Sequence, residues 1–392
     1  MTKTLYLTRP QFEAEISRCL NCKNRPCMKA CPIGCNPQEF IKLAKDGDFE
    51  GAVNSIVSAN PMGQTCGLIC PDKFCMKSCT RSHIDFPVNI PKVQASIMHE
   101  HHNLPGSAPQ AKSNGHKIAV IGAGPAGIAA CTQLLKNNFA VTLFESTDHI
   151  GGALNLIPSN RLPVEVLNKE WSFVKQNPLL ETRFNTKVTD INALLAQGFE
   201  HVIVASGEPN GIDLNVEGEN LAVSYLDFLN HPQKYIATGN VAVIGGGAVA
   251  VDCAITAKQN GASFVEMFIR RRVSDMRITN DERQTLLDNG IDLTSMTKIK
   301  KISHQNSLLT LYTCKNRFTD GKLEEIPGTT VARPDFELVI KAIGSSAPHF
   351  DDTDKIIYAG DCKTGGSTAV EALASGKSAA LSIISKYIKK AS

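Results

Sequence analysis

The residues best able to do chemistry in this chain are a cluster of cysteines and three glycine turns. Nine of the thirteen cysteines fall between Cys19 and Cys79. They form two runs, Cys19-x2-Cys22-x4-Cys27-x3-Cys31-Pro32 and Cys66-x3-Cys70-Pro71-x3-Cys75-x3-Cys79, with Cys35 between them. A secreted disulfide scaffold would be short and would spread its cysteines through the chain. A dense cluster at one end of a long chain reads instead as metal or iron–sulfur ligation. In paired ferredoxin-type clusters the cysteine before proline serves the other cluster, and two such runs are expected to hold two [4Fe–4S] clusters. Structural zinc is the competing reading, because CxxC pairs also bind zinc. The Cys-Pro endings and the interleaved spacing suit iron and sulfur better. Cys131, Cys253, Cys314 and Cys362 stand alone and read as ordinary buried thiols.

The first glycine turn is Gly122-Ala123-Gly124-Pro125-Ala126-Gly127, with Glu145 ending the next apolar run. Gly122 permits a tight turn, and Gly124 lets backbone approach a pyrophosphate at a helix N-terminus. Gly127 allows close helix–strand packing, and Glu145 can accept from both ribose hydroxyls. The second turn is Gly245-Gly246-Gly247-Ala248, and the strand after it ends in Arg270-Arg271-Arg272, with Arg277 further on. No carboxylate stands where Glu145 stood. A 2′-phosphate would repel an acid and favour arginines, so NADPH is expected over NADH; the alternative is a solvated charge run. The third turn is Ala359-Gly360-Asp361, followed by Thr368 opening a helix. Together with the first turn it indicates FAD, with Asp361 on the ribityl or phosphate region. No cysteine pair follows Gly151-Gly152 or accompanies Cys253, so the flavin is not expected to reduce a protein dithiol.

These turns need elements to aim them. KIAVIGAG, PAGIAACTQLLKNN and FAVTLFE read as strand, helix and strand, and the pattern recurs at NVAVIGGG, AVAVDCAITAKQNGA and SFVEMFIR. Two such βαβ units predict two dinucleotide-binding domains. The last stretch, from DKIIYAGD into a long amphipathic helix, is expected to return to the first of them. The first hundred residues have helical spacing, as in QEFIKLAKDGDFEGAVNSIVSA, and no long strand run. HHNLPGSAPQAKSNGH (101–116) reads as an exposed linker, with its histidines solvated. The predicted fold is therefore α/β. A helical iron–sulfur domain over 1–105 is followed by an FAD domain over 116–232 and 343–392, with a nicotinamide domain over 233–342 inserted in it.

Bulk properties exclude other classes. The 392 residues suit two or three domains, and an apolar content of 42% is enough for real cores. A net charge of +3 with interspersed signs offers nothing for nucleic acid or an anionic membrane. The opening residues have no signal-peptide pattern and no run reaches the ~18 apolar residues of a membrane span, so a cytoplasmic protein is expected.

Together these motifs resemble the N-terminal half of dihydropyrimidine dehydrogenase and its separate bacterial electron-input subunit, and are similar to the glutamate synthase small subunit. The resemblance runs from about Cys19 to Lys386, and is most specific at NPMGQTCGLICP, RLPVEVLNKE and GSTAVEALASGKSAA. It implies one cluster on Cys19, Cys22, Cys27 and Cys79. The other would take Cys31, Cys70, Cys75 and Gln94, leaving Cys66 a non-ligand. It puts Arg270, Arg271 and Arg277 on the 2′-phosphate, Arg161 beside flavin and cluster, and Ala342, Ile343 and Gly344 at a nicotinamide-side turn. Leu156 and Asn160 depart from the family pattern, Cys35 is extra, and the segment before Tyr358 is short. Nothing here resembles the FMN-bearing barrel of the long dehydrogenase, so a partner subunit is expected to reduce the final substrate. Hydride would pass from NADPH to FAD and single electrons through the clusters, with no acid–base residue required. The glutamate synthase small subunit and an assembly protein without cofactors are the alternatives. The retained glycines, Glu145, Asp361 and cysteines argue against the second.

Overall fold

The computed structural model describes residues 5–103, 111–208, 211–346 and 350–388. They form two units, one made of Met1–Asn155, Ser159–Gly207 and Ala347–Ser392, the other of Leu156–Pro158 and Glu208–Ser346. Among the described residues no helix is long and apolar enough to cross a membrane.

The first unit opens with six helices: α1 (Arg9–Ser17), α2 (Pro26–Lys29), α3 (Pro37–Lys45), α4 (Phe49–Ala59), α5 (Gly63–Ile69) and α6 (Ile90–His101). Local chemistry sets their ends. The side chains of Asn36, Asp48 and Asn89 accept from the backbone N–H of Glu39, Gly51 and Lys92, as N-caps do. The helical stretch around QEFIKLAKDGDFEGAV is broken at Gly47, whose φ of +80° ends α3. Phe40, Ile41, Ile56, Val93, Ile97 and Met98 form the core of this part.

A five-stranded sheet follows: β1 (Lys117–Ile121), β2 (Ala140–Phe144), β3 (Leu180–Arg183), β4 (His201–Val204) and, from the far end of the chain, β13 (Ile356–Tyr358). Its order is β13-β4-β1-β2-β3, and every pairing is parallel. β1 is apolar almost throughout because both its faces are covered. Four helices belong to this sheet: α7 (Pro125–Leu135), α8 (Val164–Lys175), α9 (Ile191–Ala196) and, after the short α13 (Asp361–Thr364), the long α14 (Ala369–Ile388). The chain reverses its strand order between β1 and β4, where a doubly wound sheet opens a ligand crevice.

The second unit holds β5 (Val223–Ser224), β6 (Asn240–Ile244), β7 (Phe264–Phe268), β8 (Asp292–Thr294), β9 (Thr297–Gln305), β10 (Leu308–Thr319), β11 (Lys322–Glu325) and β12 (Val331–Lys341). Its helices are α10 (Tyr225–Asn230), α11 (Ala248–Gln259) and α12 (Asn280–Asp288). β12, β6, β7 and β8 run parallel, and β9, β10 and β11 form an antiparallel ribbon joined to β12.

The second unit includes β5, which pairs with β12, and Tyr225 and Phe228 enter its core. Within the first unit, side chains of α8, of α14 and of Lys136 just after α7 bond the backbone of the helical region. One expectation needs correction. The histidines are not solvated. His101 stacks on Phe49 at 4.0 Å, His102 is buried against Phe173 at 3.6 Å, and His116 pairs with Glu200 at 3.0 Å. Residues 104–110 of that linker lie outside the described residues.

Candidate cofactor sites

The cysteines gather around two cavities in the first unit. Cys19, Cys22, Cys27 and Cys79 line one. Cys31, Cys70, Cys75 and Gln94 line the other, together with Cys35 and Cys66. Both are built from turns and helix ends. Cys27 lies in α2, Cys70 caps the end of α5 where Pro71 stops the helix, and Gln94 sits mid-way along α6. Among the described residues no three His, Cys, Asp or Glu side chains come together to hold a single ion. Gln94 is buried, and its amide nitrogen donates to the Gly63 carbonyl at 2.6 Å. That bond fixes which end of the amide is spoken for, and no described group donates to its oxygen. Cys35 and Cys66 are buried, beside Cys31 and Cys70 respectively. Cys131, Cys253, Cys314 and Cys362 are isolated and buried, as expected.

The first glycine turn has the shape its sequence requires. Gly122 has φ +100°, and a Cβ there would fall 2.4 Å from the Ala205 carbonyl oxygen. A Cβ at Gly127 would fall 1.8 Å from the Gly122 oxygen. Gly124 is different: the nearest atom to its Cβ position is Gly152 Cα at 4.0 Å, so a space stands open above the start of α7. Pro125 and Ala126 begin that helix, and Gly151 N–H donates to the Ala123 oxygen at 2.9 Å, bringing Gly151-Gly152 against the turn. Glu145 is buried, which pushes its carboxyl up. The N–H groups of Ala123 and Thr147 and the hydroxyls of Thr147 and Ser146 outweigh that and hold it below the usual range. It is an anion at neutral pH, suited to hydroxyl donors.

α14 lies against α7, closely enough that a Cβ at Gly376 would meet the Ala126 oxygen at 1.8 Å. This contact brings the third turn to the first. Gly360 has φ +73°, its N–H donates to Ser375 Oγ, and Asp361 accepts from Ser367 Oγ at 2.5 Å. Thr368 and Glu371 form a reciprocal cap at the start of α14. Arg161 is half-buried in the turn before α8.

In the second unit Gly245 has φ +152°, and its Cβ position lies 2.2 Å from the Ala342 oxygen. The turn Ala342-Ile343-Gly344 therefore abuts the glycine loop, and Gly344 itself has φ +102°. Gly246 packs beneath Ile269, while nothing lies within 4 Å of a Cβ at Gly247, where α11 begins at Ala248. Arg277 forms a backbone bridge with Gly247, which sets it beside the loop. Arg270 and Arg271 are exposed and make no ion pair among the described residues. Arg272 is engaged elsewhere: it pairs with Asp275 at 3.0 Å and stacks over Phe318 at 4.8 Å.

Sequence reasoning missed Gly376, Lys377 and Glu170. The small-residue run Ala374-Ser375-Gly376 was a signal for the first. Lys377 donates to the backbone oxygens of Ile33 and Ala59, and Glu170 accepts from Gln64 and Thr65, partners far away in sequence that no local pattern announces.

Comparison with known proteins agrees with this division. Residues 2–104 match the family described as dihydropyrimidine dehydrogenase domain II, 4Fe-4S cluster, and residues 116–376 match pyridine nucleotide-disulphide oxidoreductase. The NAD-dependent dihydropyrimidine dehydrogenase subunit PreT of Escherichia coli strain K12 is 31% identical over 291 residues, 71% of this chain and 70% of that one. The PreT homolog of Salmonella typhi is 30% identical over 396 residues, 94% of this chain and 92% of that one. FprA, an oxidoreductase of Mycobacterium tuberculosis solved with NADPH, shares the fold, with a TM-score of 0.62 and 16% identity over 70% of this chain and 85% of that one. The chain is thus an NAD(P)H-dependent flavin and iron–sulfur oxidoreductase. It belongs to the pyridine nucleotide-disulphide oxidoreductase family, in the group related to PreT whose nucleotide-binding half is joined to a dihydropyrimidine dehydrogenase-type iron–sulfur domain.

Proposed function

We propose that this chain is the electron-input subunit of a dihydropyrimidine dehydrogenase-type enzyme. It draws electrons from NADPH and hands them singly, through two [4Fe–4S] sites, to a partner subunit that reduces the final substrate. When bound, the flavin accepts hydride from the nicotinamide and the clusters carry single electrons away. The observation that carries the reading is the partition of ligands between two cavities. Cys19, Cys22, Cys27 and Cys79 surround one, and Cys31, Cys70, Cys75 and Gln94 line the other. Two sets of four donors, one in each cavity, suit two four-iron clusters.

The residues of the chain do the holding and aiming. Gly124, with open space above it, and the start of α7 receive the pyrophosphate of FAD; Glu145 takes the ribose, and Asp361 and Thr368 the flavin side. Gly247 and Ala248 receive the nicotinamide nucleotide, with Arg270, Arg271 and Arg277 on its 2′-phosphate. The PreT relatives are named as NAD-dependent; three arginines and no acid at the corresponding strand end support NADPH here. Val370, in the helix that Thr368 opens, lines the second cavity. We assign that site as the entry for electrons and the first as the exit.

Anaerobic purification followed by iron, sulfide, zinc and flavin counts tests the cofactors, and the expected result is iron and sulfide for two four-iron clusters with one flavin. Stoichiometric zinc with little iron would refute it. Capture of the natural partner, assayed for pyrimidine-dependent against glutamine-dependent oxidation of the nucleotide, tests the assignment of the enzyme; glutamine dependence would replace it with a glutamate synthase.

A further inference from the structure

The side chain of Glu170 comes from α8 and ends inside the helical region. It is buried, at 1% exposure. One carboxylate oxygen accepts from the Gln64 N–H at 2.6 Å, the N–H of Thr65 lies 3.3 Å from both oxygens, and the Thr65 hydroxyl donates at 2.5 Å. All three donors belong to the first turn of α5. That helix ends at Cys70, and its first residue, Gly63, supplies the carbonyl that holds the Gln94 amide. α5 and α6 touch backbone to backbone: a Cβ at Gly67 would fall 2.6 Å from the Ala95 nitrogen. Next to Glu170, Lys169 donates to the Met98 and His99 oxygens at the end of α6. Two successive residues of α8 therefore grip the two helices that bring Cys70 and Gln94 to the second cavity.

We propose that Glu170 is a positioning residue of the second iron–sulfur site, fixing through α5 both Cys70 and the carbonyl that orients Gln94. This rests on the reading of the second cavity as a cluster site. A buried polar group is kept only where its bonds are made. Here it satisfies N–H groups at a helix start that α5 cannot satisfy itself.

The same geometry couples the site to protons. Burial pushes the Glu170 carboxyl up to about 7, against the pull of the Thr65 hydroxyl, the Gln64 and Thr65 N–H groups and Lys169. The other titratable groups near this network are Tyr6, bonded to Gln64, and His99, which lies against Tyr6 and Gln64. An electron arriving at the second site adds negative charge and favours the protonated acid. The electron comes from the reductant and the proton from solvent. The potential of the second cluster is then lower above neutrality than below it, while that of the first is flat.

The experiment compares anaerobic holoprotein of wild type, Glu170→Gln and Glu170→Ala. Iron count, resistance to a chelator and electron paramagnetic resonance redox titration of each cluster are read below and above neutrality. In Glu170→Gln the second cluster is expected to remain with its pH slope gone. In Glu170→Ala it should be lost or changed in signal while the first cluster and the flavin persist. Unchanged signal, chelator resistance and slope in Glu170→Gln would overturn the proposal, as would joint loss of both clusters and flavin in Glu170→Ala. Wild-type iron for one cluster only would instead refute the reading of the second cavity, and this proposal with it.

Discussion

Removing Arg270 and Arg271 together tests which nucleotide the second unit takes. Both side chains are exposed at the end of β7 and unpaired with any described acid, whereas Arg272 is tied to Asp275. A charge-assisted phosphate contact is worth about 1.5–3 kcal/mol when well enclosed. Exposed ion pairs are worth up to about 1 kcal/mol, and we take about 1 kcal/mol for each arginine here. Losing two then costs about 2 kcal/mol, roughly a 30-fold fall in kcat/KM with NADPH. NADH has no 2′-phosphate and should lose little. Steady-state oxidation of each nucleotide with ferricyanide as acceptor gives both numbers, and Arg272→Ala is the internal control, expected to leave the ratio unchanged. Arg277→Ala should act in the same direction as the pair, since its backbone bridges to Gly247. Equal efficiency of wild-type protein with NADH and NADPH would refute the reasoning. So would an Arg272→Ala variant that shifts the ratio as far as the double variant, because the run would then act only as a diffuse positive face.

Three further outcomes follow from single side chains. Gln94→Ala should make the second cluster labile, and Gln94→Cys should keep it but make it harder to reduce, since a thiolate adds negative charge. Iron counts and paramagnetic resonance decide; loss of a cluster in Cys66→Ala or Cys35→Ala, with none in Gln94→Ala, would move the ligand to that cysteine. Gly127→Ala forces a Cβ to 1.8 Å from the Gly122 oxygen and should cost about 1–3 kcal/mol with loss of flavin. Gly124→Ala has room and should leave the melting of flavin-free protein alone while weakening flavin binding; equal melting losses in the two would contradict this. His102 is buried, and burial with Lys169 nearby lowers its pKa to about 4. Its folded value lies below the unfolded one, so the stability it contributes is complete above about 6.5. That stability drains away as pH falls toward 4, by up to roughly 3 kcal/mol. His102→Phe should flatten the acid side of a melting-temperature profile, and an unaltered profile would show that other groups set it.

How much of this could be read from the sequence depends on whether the constraint was local. Gly122, Gly127 and Gly245 announce themselves because a tight turn and a carbonyl within 2.4 Å leave no place for a Cβ, and these demands lie within a βαβ unit. The return of the last strand and helix was legible from its strand, glycine turn at Gly360 and amphipathic helix, but the close approach of Gly376 on α14 to Ala126 was not. The ribbon of β9, β10 and β11 was not, since its strands alternate weakly and take their register from one another. The early start of the second unit was hidden because β5 is two residues long. Glu170 was hidden more thoroughly. On an amphipathic helix a glutamate reads as solvated, and what makes it buried is a pair of N–H groups about a hundred positions earlier in the chain, at Gln64 and Thr65. His102 misreads for a related reason, as a linker histidine whose ring is covered by Phe173 from the other half of the unit.

The two kinds of residue have different consequences for the cluster sites. Cysteine spacing is fixed along the chain and can nominate ligands, but it cannot say which sulfurs share a cavity. That division comes from the fold of the helical region, which sends Cys79 back to Cys19 and leaves Cys31 with Cys70 and Cys75. Lys377 on α14 bonds the loop that follows Cys31, and Glu170 on α8 bonds the helix that ends at Cys70. Each of these bonds crosses from the nucleotide-binding part of the unit into the cysteine-bearing part. A shift of α8 or α14 when flavin binds would therefore be transmitted to the second site first, because both contacts lead to its side of the helical region. In the electron-transfer chain proposed here, packed backbone rather than a linker would hold the spacing between flavin and first acceptor.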